Sequence, residues 1–421
     1  MNKIEKDKAY VWHPFDVLQQ EQNIFIKKAT GVHLHTNDGK KIIDAISSWW
    51  VNIHGHRNQY ISRAVAKQLR YFEHVIFAGF THDPAIRLAE SLVKILPGSM
   101  AKVFFSDDGS TSTEVAIKMA LQYWFNKGEK KNRIIAFEGA YHGDTFGAMS
   151  VGARGGFNEP FEAHLFDVAF IPLPESADNE TFTKFEILCQ TCEIAAFIYE
   201  PLIQGSAGMR MYLPEMLEKL LQIAKANKVI CIADEVFTGF GRTGKNFASE
   251  YCETKPDIIC LSKALTGGYL PLGVTATQAH VYEAFSSKEM SKIFLHGHSY
   301  TANPLACAAA NESIRLFLTV ECQQNIARLN ATFELWKIEL STLSNIKNIR
   351  CLGAIFAFEV INEKDSGYFN PLRERLYKAF IDKNILIRPL GNTVYVLPPY
   401  IIAEKELNYI LKSIKEVLAD F

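Results

Sequence analysis

A chain of 421 residues that is 48% hydrophobic has enough material for a large buried core, divided between two domains on one chain. Its 45 basic and 46 acidic residues leave a formal net charge of −1, which gives no electrostatic footprint for nucleic acid or an anionic membrane surface. There is no apolar run of the roughly 18 residues a membrane helix needs, the start Met-Asn-Lys-Ile-Glu-Lys is too charged for a secretion signal, and the scattered cysteines suit reduced thiols, so the expectation is a soluble cytoplasmic protein.

In chain order, Trp12-His13-Pro14-Phe15 comes first. Gly31 to His35 and Asn37 to Lys40 then read as hairpin pieces around an Asp-Gly turn. Trp49 and Trp50, taken as strand neighbours, point to opposite faces, and core packing is the commoner reading for such a pair. From about residue 60 to 290, short apolar runs alternate with helix-like stretches. The strands expected are Val103 to Phe105, Ile134 to Phe137, Ala195 to Tyr199, Val229 to Ala233 and Ile258 to Leu261; helices are expected at Ser112 to Phe125 and Pro214 to Asn227. That alternation predicts an α/β domain with a largely parallel sheet. No GxGxxG follows an early strand, which disfavours a dinucleotide fold, and the single Cys189-x-x-Cys192 reads as helix packing rather than a metal or redox site.

The segments after those strands carry the chemistry. Gly109-Ser110-Thr111, between a strand and a helix start with Glu114 placed like a capping box, forms a phosphate cup or a plain cap. Tyr141 lies in Gly139-Ala-Tyr-His-Gly143 at the ligand edge of the sheet, where it can stack on an aromatic cofactor; His142 reads as structural, and Asp144 as a holder of water or donor. Asp234-Glu235 ends one strand. Arg242 in Gly239-Phe-Gly-Arg-Thr-Gly244 is a candidate carboxylate clamp. Ile258 to Leu261 delivers Lys263 into a turn closed by Gly267-Gly268, and a desolvated lysine sheds its proton and attacks a carbonyl. A lysine for a Schiff base and an aspartate for a protonated pyridine nitrogen are the pair that pyridoxal 5'-phosphate chemistry needs. Taken singly, each is more often a surface charge or an N-cap.

Past Leu295, His296-Gly297-His298-Ser299 suggests a second anion site before the helix Leu305 to Leu318. Its two histidines face one side if the segment is a strand, with no further ligands to make a metal site. Residues 320–421 read as α+β, with strands Ile355 to Val360 and Val394 to Val396. After Ile385-Leu-Ile, Arg388 is either a salt-bridge residue or a carboxylate clamp.

Asp234-Glu235 with Gly239-Phe-Gly-Arg-Thr-Gly244, Lys263 in Ser-Lys-Ala-Leu-Thr-Gly-Gly, and Gly109-Ser110 resemble the class III (omega) aminotransferases of PLP fold type I, over nearly the whole chain. The resemblance implies an α/β fold: a large PLP-binding domain over 58–295 with a mostly parallel seven-stranded sheet, and a smaller α+β domain from 1–57 and 296–421. It implies a homodimer with active sites at the subunit interface. Lys263 would hold the cofactor covalently and shuttle the proton, Asp234 pair the ring nitrogen, Tyr141 lie on the ring, and the backbone at Gly109 and Ser110 hold the phosphate. Gly297, His298 and Ser299 would approach from the other subunit.

Trp12-His-Pro-Phe15, Ser47-Ser-Trp49-Trp50, Tyr141 to Thr145, Asn303 to Cys307 and Arg388-Pro389 resemble one branch of that family. Its members aminate 8-amino-7-oxononanoate in biotin biosynthesis, with S-adenosylmethionine as amino donor. On that resemblance Arg388 binds the substrate carboxylate, Trp49 and Trp50 shape the pocket, and Arg242 and Asp144 assist placement. Many of these proteins carry Tyr where this chain has Phe15, and the hydroxyl is tied to placing the donor. Members that use lysine as donor can also carry Phe there, and they share a His-Gly-His-Ser-Tyr stretch. Lysine as donor, or another omega-aminotransferase activity, are the alternatives. No metal is implied.

Overall fold

The computed structural model describes residues 1–15, 23–156, 158–174, 180–362 and 370–421. Its centre is a sheet of seven strands: β1 (Met100–Ser106), β2 (Arg133–Phe137), β3 (Val168–Ile171), β4 (Ile194–Tyr199), β5 (Ile230–Asp234), β6 (Ile258–Leu261) and β7 (Gly273–Gln278). They lie in the order β1-β7-β6-β5-β4-β2-β3, and β7 alone runs against its neighbours. Every residue of β4, β5 and β6 is buried, as expected of strands covered on both faces by helices.

The apolar runs located five of these strands, and β3 and β7 escaped them. β7 reads Gly-Val-Thr-Ala-Thr-Gln, so its threonines mask a buried strand; Thr275 satisfies its hydroxyl by donating to the Ser112 carbonyl at 2.8 Å. The helix after β1 spans Gly109–Lys127, and its cap is Asp108 rather than Ser110 or Thr111. The Asp108 carboxylate accepts from the Thr111 amide at 2.8 Å, and the Thr111 hydroxyl accepts from the Asp108 amide at 2.9 Å. Glu114, read as a capping residue, instead accepts from the Thr145 hydroxyl at 2.7 Å and the Ala148 amide at 3.0 Å, tying the loop after β2 to this helix.

The two chain ends meet in a second sheet. Strands Ile26–Thr30, His33–Thr36 and Lys41–Asp44 form an antiparallel meander, and Ile385–Leu386 pairs parallel with Ile43 and Asp44. A third, antiparallel sheet joins Ile346–Leu352, Ile355–Val360 and Thr393–Val396.

Two expectations are corrected here. Trp49 and Trp50 do not lie on a strand: Ser47 to Trp50 form a left-handed turn with φ of 51°, 45°, 69° and 77°. The left-handed region costs an L-residue about 1–2 kcal/mol, so neighbouring structure must hold this turn. Residues 296–300 form no strand either, and the two histidines part: the His296 ring accepts from the Lys118 ammonium at 2.9 Å, while His298 faces Asp107 at 3.5 Å.

Candidate active site

The C-terminal edge of the large sheet gathers the ends of β1, β2, β4, β5 and β6, where open α/β sheets bind ligands. They border a cavity of about 430 Å³ whose lining includes Lys263, Asp234, Tyr141, His142, Ser110 and Trp50. Lys263 enters it from a short turn with φ +37°, a strained backbone for a residue with a side chain. That turn is braced from behind. The Ser313 hydroxyl donates to the Ala264 carbonyl at 3.3 Å, and the ring of His54 donates to the Ser313 carbonyl at 3.0 Å. Burial holds the His54 pKa down at about 4, so the brace is a neutral imidazole.

The Lys263 ammonium nitrogen lies 4.8 Å from the centre of the Trp50 ring and 5.8 Å from that of Phe237. Burial pushes its pKa down, Asp234 and Glu200 oppose that shift, and Arg242 adds to it. Desolvation thus favours the free amine, the form that attacks a carbonyl.

Asp234 is fixed at both oxygens. One accepts from the Val236 amide at 3.0 Å; the other lies 2.7 Å from Nδ1 of His142. His142, read from the sequence as merely structural, is therefore the partner that orients the aspartate. Glu200, at the end of β4, received no role from the sequence. It is buried and accepts from the Tyr141 amide at 3.1 Å and the Gly205 amide at 2.9 Å, clamping two loops of the cavity wall. Burial raises its carboxyl to about 7. The Tyr141 hydroxyl is also raised, by burial first and by Asp144 beside it.

An anion fits where the Gly109–Lys127 helix begins, because the first amides of a helix lack intrahelical partners. The approach is tight. A Cβ on Gly109 would fall 2.7 Å from Val236, and one on Gly143 (φ +130°) 2.1 Å from the Ser110 hydroxyl. That hydroxyl accepts from the Asp144 amide at 3.1 Å. One corner thus offers a partly buried primary amine, an oriented carboxylate, aromatic faces and an anion cup.

A family model for aminotransferase class-III matches residues 16–418. The chain belongs to the class III aminotransferases. The adenosylmethionine-8-amino-7-oxononanoate aminotransferase of Synechococcus elongatus is 45% identical, covering 97% of this chain and 98% of its own; that of Staphylococcus aureus is 38% identical, covering 98% and 96%. Among solved structures, the Methanocaldococcus jannaschii protein of the same name superposes with a TM-score of 0.94 at 35% identity, covering 99% of this chain and 98% of its own. An omega transaminase from Pseudomonas jessenii in complex with PMP gives 0.93 at 26% identity, covering 100% and 98%. These likenesses give this class III aminotransferase the fold type I architecture over its whole length.

The remaining predicted residues fall into three places. Phe15, Trp49 and Arg388 stack together, and none of them is among the residues lining the cavity: the Phe15 ring meets Trp49 edge-on at 5.5 Å, and the Arg388 guanidinium lies 4.7 Å from the Trp49 ring centre. Gly297, His298 and Ser299 do not line the cavity of their own chain. Arg242 is corrected from its expected role as a carboxylate clamp. It is 0% exposed and donates to the carbonyls of Pro398 at 3.2 Å and Trp50 at 3.1 Å, with Tyr400 under its guanidinium, so no substrate reaches it.

Proposed function

We propose that this chain is a pyridoxal 5'-phosphate enzyme of biotin biosynthesis that aminates 8-amino-7-oxononanoate to 7,8-diaminononanoate, with S-adenosylmethionine as amino donor. The observation that carries the chemistry is the partly buried, desolvated Lys263 amine sharing one cavity with the His142-oriented Asp234. The substrates rest on near-full-length relatives of that name, at 35–45% identity.

The residues present fit the cofactor. Lys263 supplies the amine for its aldehyde, Asp234 the negative charge for its ring nitrogen, Tyr141 a face for the ring, and the amides at Gly109 and Ser110 a cup for its phosphate. When bound, it supplies an electron sink for the pair released at the donor carbon. Lys263 would take up the proton released at that carbon. Trp50 and Phe237 keep water from the amine, Arg388 binds the acceptor's carboxylate, Trp49 and Trp50 bound its chain, and Asp144 assists placement through Tyr141 and Ser110.

We further read the molecule as a cytoplasmic homodimer in which Gly297, His298 and Ser299 reach the partner's phosphate cup. Exposed apolar residues support a second copy, with Tyr71 71%, Ile76 60% and Phe80 66% exposed. No helix among the described residues is long and apolar enough to cross a membrane. The four-stranded sheet built from both chain ends supports a division into 58–295 and a small domain of 1–57 with 296–421.

Phe15 favours a second reading, lysine as donor, because its ring brings no hydroxyl to the Trp49 stack. The test is to incubate the PLP-loaded protein separately with each donor and follow the visible absorbance of bound cofactor. Loss of the band with S-adenosylmethionine alone supports the proposal; a response only to lysine reassigns the donor. If neither amine changes the spectrum, both donor readings fail.

A further inference from the structure

The left-handed turn Ser47–Trp50 places both indoles, and nothing in its own composition favours it: all four residues carry side chains and sit at positive φ. What holds it is a buried carboxylate. Asp44 is 0% exposed, and its Oδ1 accepts from the amides of Ser48 at 2.9 Å and Ile46 at 3.3 Å. Its Oδ2 accepts from the Ser48 hydroxyl at 2.7 Å and lies 2.8 Å from Nε2 of His56. The imidazole is itself oriented: Asn52 donates to its Nδ1 at 3.1 Å, which leaves Nε2 as the protonated nitrogen that donates to Asp44. The backbone of His56 is fastened to Gly31 by two hydrogen bonds, of 2.7 and 3.0 Å. The far end of the turn is closed by Arg242 on the Trp50 carbonyl, and its start by the Ser47 hydroxyl on the Leu397 carbonyl at 2.8 Å.

We propose that Asp44 and His56 are positioning residues for acceptor specificity. By pinning the start of the Ser47–Trp50 turn they hold the Trp49 ring under Arg388, while Arg242 keeps Trp50 in place, and so they fix the wall that measures a long aliphatic keto acid between amine and carboxylate. A carboxylate buried on a small imidazole and two amides suits this task, since hydrogen bonds to a charged group are stronger and more directional than neutral ones. Asp44 and His56 touch neither cofactor nor substrate. The inference rests on the acceptor-facing reading of Trp49 and Arg388 given above.

The test compares the PLP-loaded wild type with Asp44→Asn, His56→Ala and His56→Gln, whose amide can replace the Nε2 donor. Asp44→Asn and His56→Ala are expected to raise KM for the oxononanoate about tenfold, the loss of one charge-assisted hydrogen bond, with kcat and the cofactor's visible absorbance kept within about twofold. Their near-UV circular dichroism should lose indole ellipticity, and His56→Gln should restore both KM and the spectrum. An unchanged KM, or a raised KM accompanied by a loss of kcat and of cofactor retention without rescue by His56→Gln, overturns the proposal. If the wild type fails to aminate the oxononanoate, the substrate reading is at fault. The indole spectra then still decide whether Asp44 and His56 hold the turn, and unchanged spectra overturn it.

Discussion

Asp234 and His142 share a hydrogen bond of 2.7 Å at the cavity wall, and both side chains are almost wholly buried. On the proposed reading the pair matters, because a carboxylate that is to face a ring nitrogen is useful only if it cannot turn away. His142→Ala removes a hydrogen bond to a charged group, worth roughly 1.5–3 kcal/mol. The expected result is a fall of about 10- to 100-fold in the single-turnover rate of the donor half-reaction. His142→Asn, which keeps a donor near the position of Nδ1, should recover most of it.

Glu200 gives the site a proton-binding group near neutrality. Its carboxyl is raised to about 7, mainly by burial, so it contributes stability that is full below the ordinary glutamate range and is lost as pH rises through about 7. The charge it gains there favours the protonated form of Lys263, since Glu200 raises the lysine's pKa. The rate–pH profile of the donor half-reaction should therefore bend near pH 7, and in Glu200→Gln that bend should vanish.

His54 has the opposite sign. Its folded pKa is lowered from 6.5 to about 4, so its contribution to stability is full above pH 6.5 and is lost as pH falls toward 4. The full difference of about 2.5 pH units amounts to roughly 3 kcal/mol. Denaturant unfolding at pH 7 and pH 5 should show a smaller acid loss in His54→Gln than in the wild type.

Gly143→Ala tests the anion cup. The added Cβ would fall 2.1 Å from the Ser110 hydroxyl, on a backbone at φ +130°, so the loop carrying Tyr141 must move off the helix. A loss of about 1–3 kcal/mol in stability is expected. Equilibrium dialysis should show weakened retention of the cofactor, while Gly128→Ala, whose new Cβ meets nothing within 4 Å, should leave retention unchanged.

Most of the architecture was legible because buried parallel strands are short apolar runs that end at their ligand edge. β5 ends in Asp234, and Lys263 lies two residues beyond β6; position alone marked both. What escaped was polar chemistry made respectable by burial. The threonines of β7 hid a core strand, and His142, Glu200 and His54 look like ordinary polar residues until their partners are known. His142 adjoins Tyr141, which was singled out, so its neighbourhood was the available signal; Glu200 and His54 carried none. Arg242 misled in the other direction: a guanidinium in a glycine-rich loop suggests an open clamp, yet its glycines let neighbours close over it. A Cβ on Gly241 would come within 2.5 Å of Ile326. The left-handed turn at Trp49 could not be foreseen, since none of its residues prefers that backbone.

The pairing of Ile385–Leu386 with Ile43 and Asp44 sets an order of assembly. Apart from Trp50, the His54–Ser313 brace and β7, the cofactor corner draws on residues between Gly109 and Lys263. The proposed acceptor wall sets Trp49 against Arg388 and therefore needs residues synthesised well after Lys263. A chain emerging from its N-terminus can form the anion cup and the amine long before it can select an acceptor. For that interval Trp49 and the Asp44-held turn await a partner strand, and a truncation before Ile385 would leave a lysine site without a gauge for what it aminates.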